Sequence, residues 1–287
     1  MMVNPYDDSR LLLALQVDHS RVAGFLAAHW GNAMFSEPKP FSSVVLAAQE
    51  HDNGWAEWEI KPSTLNDKGY PLDYHDGSIK YLGKFRLDFY KDGVNQIVQR
   101  DPYAGLLVLM HGVGLMNGGY GRFTYPPDRT ANPLVKEYVD HQEKLRERLL
   151  ADLRGSEEFR EFVTEEKLWA NYELMTIFDQ MAQFICNRYP LNNNKARQSG
   201  PHSDLNNVPV PVGQGQDPVR VTIDPTDEKN ATVRPYPFDL DPLVVSFPAR
   251  LVPKRSYASP EDFLKEFYRA ERITVSHSLH ASTASIA

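Results

Sequence analysis

A chain of 287 residues, 41% hydrophobic and 24% charged, can bury a full core as one large domain or two modest ones. Its net charge of -7 excludes a general nucleic-acid binder, which carries a basic surface, and its single cysteine, Cys186, excludes an intramolecular disulfide and a cysteine-rich zinc site. No stretch approaches the ~20 apolar residues of a membrane span, and MMVNPYDDSRLLLALQ has acidic residues where a signal peptide needs basic ones, so a cytoplasmic protein is expected.

Residues 1 to about 190 read as mainly helical. VDHSRVAGFLAAHWGN opens with Asp18 as N-cap and ends near Gly31. FSSVVLAAQEHDNGW has Ser42 or Ser43 as cap and Asn53-Gly54 as stop signal. DPYAGLLVLMHGVGLMNGG has Asp101 as cap, Pro102 at the first helical position and Gly118-Gly119 at its end. NPLVKEYVDHQEKLRERLLADLRG repeats the Asn-Pro opening at Asn132-Pro133 and closes at Gly155. EEKLWANYELMTIFDQMAQFICNRYP is a long apolar-rich helix stopped by Pro190, with Cys186 as a core residue. Residues 191–217, rich in Asn, Gly and Pro, read as a linker or long loop. Beyond it VRVTID, ATVRPYPF, LVVSFPARL and ITVSHSL read as short strands, with a helix at SPEDFLKEFYRAE and a frayed ASTASIA end. This small antiparallel sheet, residues 218–287, is expected to pack on the helical part as an α+β subdomain.

The chemistry lies in the helical part. His51 and Asp52 are adjacent at the end of an apolar helix, and imidazole and carboxylate both ligate divalent first-row metals. Taken alone the pair also reads as a histidine on a helix C-terminus. His111 lies inside LLVLMHGVGL, where a buried ring needs partners for both nitrogens; a metal is one, a core hydrogen bond another. Asp179 falls on the stripe Leu168, Tyr172, Met175, Phe178, where an ionised carboxylate needs a cation. His141 falls on the stripe Leu134, Tyr138, Leu145, Leu149, as a ligand, a supporting residue or a phosphate contact. His19 starts the first of these helices. His29, His75, His202, His277 and His280 lack such settings.

The order His19, His51-Asp52, His111, His141, Asp179, over about residues 10–190, resembles the HD superfamily of metal-dependent phosphohydrolases. QVDHSRVAGFLAAHWGN, AAQEHDNGWAEWE and IFDQMAQFICN, with PYPF further on, also resemble the bacterial family domain of unknown function 3891. The HD resemblance implies a mainly α fold: an HD-like helical metal-binding bundle over 1–190, followed by the β-containing C-terminal subdomain. It implies that His19, His51, Asp52 and Asp179 hold one divalent ion and that His111 and His141 complete a second. The ion or ions would be Fe, Mn, Zn, Ni or Mg, with His51, Asp52 and His111 carrying catalysis. Asn53-Gly54-Trp55 stands where many HD hydrolases have an apolar residue, Gly and Lys; the missing Lys argues against a standard nucleotide-hydrolase mechanism.

The expected reaction is metal-assisted hydrolysis of a phosphate ester or related small molecule. Lys80, Lys84, Arg86 and Arg122 are candidates to bind phosphate, or a solvated surface. Gly118, Gly119 and Gly121 either let a loop cover the site or end the helix. Two other readings stand: a di-iron oxygenase of the HD type, or a non-catalytic small-molecule binder with Trp55 and Trp58 lining its pocket rather than packing the core. The expected partner is a small-molecule substrate, with no membrane and no nucleic acid as a general partner; a homodimer is admitted. No P-loop, GxGxxG, GxSxG or HExxH is present.

Overall fold

The N-terminal run RLLLA forms a strand rather than helix. In the computed structural model, which describes residues 1–74, 83–122, 127–192, 208–211 and 218–282, Met2–Pro5 (β1) and Arg10–Ala14 (β2) pair antiparallel. Leu11 to Ala14 are all buried because both faces of β2 are covered. Leu12 and Ala14 join the main helical core, while Leu11 and Leu13 pack with Val252, Tyr257, Phe263 and Phe267. A strand buried on both sides shows no alternation, so its continuous apolar run carries no strand periodicity.

β2 pairs with Leu243–Pro253 (β6), far along the chain. The remaining strands are Val208–Val210 (β3), Val219–Pro225 (β4), Asn230–Arg234 (β5) and Glu271–Ala281 (β7). They form one seven-stranded sheet in the order β1-β2-β6-β7-β5-β4-β3, with β5 and β7 parallel and the other pairs antiparallel. This overturns the mainly α bundle with a small antiparallel C-terminal sheet. The fold is an α/β mix whose sheet is mixed and draws strands from both ends of the chain.

Among the described residues the α-helices are Gln16–Ala28 (α1), Phe41–Glu50 (α2), Ala56–Ile60 (α3), Lys84–Arg100 (α4), Pro102–Asn117 (α5), Pro133–Gly155 (α6), Glu165–Cys186 (α7) and Pro260–Arg269 (α8). Asp101 caps α5 by accepting from the N–H groups of Tyr103 and Ala104, and Asn132 caps α6 through Leu134 N–H. Two expected caps differ. α1 starts at Gln16, so Asp18 sits inside its first turn, and the carboxylate of Glu59 accepts from Gln16 and Val17 N–H instead. α2 starts at Phe41, and Ser43 donates across to Asp101.

α4 is a helix that sequence patterning misses, because Gly93 and several polar residues interrupt its apolar face. Gly93 is there for proximity: a Cβ at Gly93 would lie 2.5 Å from Asn53 Oδ1, and one at Gly54 1.8 Å from Phe89 O. Two facing glycines thus let α4 cross directly over the turn that follows His51-Asp52. Trp55, at the end of that turn, is buried with Leu72, Trp58 and Phe89, so it packs a core rather than lining an open pocket. Gly118 ends α5 in the left-handed region, which accounts for the glycines there. Among the described residues, no helix is long and apolar enough to cross a membrane.

Candidate metal centre

Four elements converge on one buried point. α1 delivers His19 from its first turn, the end of α2 delivers His51 and Asp52, α5 delivers His111, and α7 delivers Asp179. All five are buried, His19 at 0% exposure and Asp179 at 2%. Their donor atoms form two overlapping groups, His19–His51–Asp52 and His51–His111–Asp179, each with all donors within 4.8 Å of one another. Donors sharing an ion at about 2.1 Å stand roughly 3–4 Å apart, so a small movement closes either group on a cation.

Asp179 is the hub. Its Oδ1 lies 2.9 Å from His19 Nε2 and 3.3 Å from His51 Nε2, and its Oδ2 lies 3.7 Å from His111 Nε2. Asp52 Oδ2 lies 3.5 Å from His19 Nδ1 and 3.6 Å from His51 Nε2. The imidazoles of His19, His51 and His111 meet edge to face in sequence, with centroids 4.9 and 5.1 Å apart.

Backbone carbonyls fix two of the rings. His19 Nδ1–H donates to Gln16 O at 2.7 Å, and His51 Nδ1–H donates to Ala48 O at 2.8 Å. A carbonyl only accepts, so the proton belongs on Nδ1 in both; Nε2 of His19 is then turned toward Asp179, and Nε2 of His51 toward Asp52 and Asp179. This is how metal-ligating histidines are held. His51 Nε2 is close to Asp179 but outside hydrogen-bond alignment, and so is a buried atom without a partner. An unprotonated Nε2 aimed at a carboxylate is repulsive; a cation or a proton between them removes the conflict.

In the metal-free protein that role falls to protons. Burial pushes the His51 imidazole down, but the Asp52 and Asp179 charges outweigh it and raise its pKa to about 9. His111 goes the other way: burial holds it at about 4, so its ring is neutral. Burial raises Asp179, yet the hydrogen bond from His19 and the charge of His51 beside it hold it well below the usual carboxylate range. At neutral pH Asp179 is therefore ionised and His111 neutral, and His51 carries a proton that a metal would displace.

Two glutamines support the carboxylates. Gln16 Nε2 donates to Asp52 Oδ2 at 3.2 Å, and Gln183 Nε2 donates to Asp179 Oδ1 at 3.0 Å. Sequence patterning does not single them out, though their spacing gives a signal: Gln16 is three residues before His19 and Gln183 four after Asp179. Tyr90 of α4 is also buried here, and its hydroxyl responds to the charges of Arg86, Asp52 and Asp179.

His141 is not part of the cluster. The buried stripe of α6 runs through Val135, Tyr138, Gln142, Leu149 and Leu153, one position round from the expected stripe, and this turns His141 to solvent in a surface cleft with Lys91 and Lys144. His29 pairs with Asp239, His280 with Asn230, and His277 is buried in the sheet; His75 and His202 lie outside the described residues. Of the basic residues, Arg122 is bound to Glu173 and stacked on Trp169, Lys84 is exposed, Arg86 lies beside Tyr90, and Lys80 is outside the described residues. Cys186 is buried, and burial raises its thiol pKa, as befits a core residue.

The family profile described as Protein of unknown function (DUF3891) matches residues 1–254. The chain belongs to the DUF3891 family. The DUF3891 match takes in every residue of the cluster and the strands β1 to β6, and stops before α8 and β7. No curated protein and no solved structure matches the chain.

Proposed function

We propose that this protein is a metal-dependent hydrolase acting on a phosphate ester or a related small molecule. The observation that carries the reading is the pair of overlapping buried His/Asp groups, in which backbone carbonyls orient the rings of His19 and His51. His19, His51, Asp52, His111 and Asp179 would hold one or two ions, and an imidazole-rich set of this kind favours Fe, Mn, Zn or Ni over Mg. When bound, a divalent ion lowers the pKa of a bound water and polarises a phosphoryl oxygen.

The chain's own residues supply the rest. Gln16 and Gln183 keep Asp52 and Asp179 pointed at the centre. Burial of all five donors keeps bulk water away and strengthens every charge interaction. Arg86, beside Tyr90 on the helix that crosses the His51-Asp52 turn, brings a positive charge to this side of the centre. Arg122 is already neutralised by Glu173.

The test is metal analysis of the purified protein beside a His51→Ala, Asp52→Ala variant, with hydrolysis of p-nitrophenyl phosphate measured on both. Stoichiometric metal and ion-dependent hydrolysis, both lost in the variant, support the reading. Bound iron with dioxygen consumption and no hydrolysis moves the assignment to an HD-type di-iron oxygenase. A protein that takes up no ion, even from excess, refutes a metal enzyme and leaves a binding protein.

A further inference from the structure

Helix α6 buries two polar atoms that the site above does not use. Tyr138 and Gln142 are each 1% exposed, and neither Tyr138 Oη nor Gln142 Oε1 has a hydrogen-bond partner. They are one turn apart on the same face, so they address the same neighbourhood. On the buried stripe of α6, Gln142 stands between Tyr138 and Leu149, where an aliphatic residue would pack at no polar cost. A buried unpaired polar group is expensive and rare, and two side by side call for something that pairs with both.

The neighbourhood adjoins the metal centre. Tyr138 Oη lies against Gly112 of α5, the residue after His111, and a Cβ at Gly112 would come within 2.8 Å of that oxygen. The missing side chain lets the hydroxyl approach the backbone of α5 directly beside His111. The Tyr138 ring lies 6.5 Å from the ring of Tyr90, whose hydroxyl responds to Asp52 and Asp179. Tyr90 thus neighbours Tyr138 and is within electrostatic reach of both carboxylates.

We propose that Tyr138 and Gln142 form a polar subsite beside the metal centre that binds a hydroxyl group of the substrate. A hydroxyl accepts from Tyr138 O–H and donates to Gln142 Oε1, so one group satisfies both atoms. The substrate class becomes a hydroxyl-bearing phosphate ester, with the phosphoryl group at the ion and the alcohol portion against α6. The choice of a phosphate ester rests on the hydrolase reading; the subsite itself does not.

The experiment compares the metal-loaded full chain with its Tyr138→Phe, Gln142→Met variant. Calorimetric titration uses two probes, glycerol 3-phosphate and methyl phosphate, which differ in the hydroxyls. The wild-type protein should bind glycerol 3-phosphate at least tenfold tighter than methyl phosphate. The variant should lose that preference, keep its affinity for methyl phosphate, and melt at the same or a higher temperature. Equal binding of both probes by the wild type overturns the subsite and leaves a structural water as the partner of both atoms. A preference that survives in the variant also overturns it, as does a large drop in melting temperature in each single variant. Failure of both phosphates to bind refutes the phosphate reading alone. The subsite is then decided by the Gln142 side-chain amide resonance: glycerol must shift it, and an unmoved signal overturns the proposal.

Discussion

The proton on His51 gives the metal-free protein a stability that falls as pH rises. The ring has a reference pKa of 6.5, raised to about 9 in the folded chain by Asp52 and Asp179 against the opposing effect of burial. A group raised in this way stabilises fully below its unfolded pKa and loses the contribution as pH climbs through the folded value. The window is therefore pH 6.5 to 9, and at about 1.4 kcal/mol per pH unit the loss amounts to about 3 kcal/mol. A divalent ion held by His51 would take the place of that proton, so folded and unfolded chains would bind nearly the same number of protons at His51 across that window and the slope should vanish. Urea denaturation followed by circular dichroism at pH 6.5, 7.5, 8.5 and 9, with chelator or with saturating zinc, measures both curves. The gap between them should widen by about 3 kcal/mol, and subtraction removes every group the ion does not touch. Parallel curves, or a stripped protein of constant stability, would refute the reasoning. His51→Gln should flatten the stripped curve on its own.

Other substitutions separate the roles of the cluster. Asp179→Asn removes the hub charge and leaves the His51 cation buried beside Asp52 alone; it should cost the stripped protein about 3–5 kcal/mol in urea denaturation and abolish stoichiometric metal uptake. His141→Ala touches a solvent-facing ring, so metal content should be unchanged and stability should stay within about 0.5 kcal/mol, as metal analysis and thermal melting would report. Gly54→Ala drives a methyl group into Phe89 O and should destabilise by about 1–3 kcal/mol in thermal melts, pushing α4 off the His51-Asp52 turn.

What could be read from the sequence depended on how local the signal is. Caps with side-chain chemistry were legible: Asp101-Pro102 and Asn132-Pro133 open α5 and α6 as their residues dictate. So were β4 to β7, whose alternation in β6 matches one buried and one exposed face, whereas β3 lies in the stretch read as a linker. β2 was not legible, since a strand covered on both sides alternates in nothing. Its partner in β6 is a long-range choice that no local pattern encodes. At the centre, His111 and Asp179 stood out because polar groups inside apolar runs demand a partner, and the structure brings them to His19, His51 and Asp52. His141 failed the same test by one position on the helix, about 100° of rotation, which exchanges a solvent-facing ring for the buried amide of Gln142. The supporting glutamines carry no charge and break no pattern, so only geometry reveals them.

The strand order has a consequence for how the chain assembles during synthesis. β7 comes after every other strand in the sequence yet sits in the middle of the sheet, with β6 on one side and β5 on the other. Until β7 is in place, β1-β2-β6 and β3-β4-β5 are two separate ribbons, and the edges of β6 and β5 that β7 will join stand open. Chain segments emerge over many seconds, whereas a hairpin closes in microseconds, so the halves form early and wait for their keystone. α1, which carries His19, follows directly from β2 and therefore hangs from a half-finished sheet through that interval. A chain truncated before β7 should therefore bind no ion stoichiometrically where the full chain does, which metal analysis of the two would report.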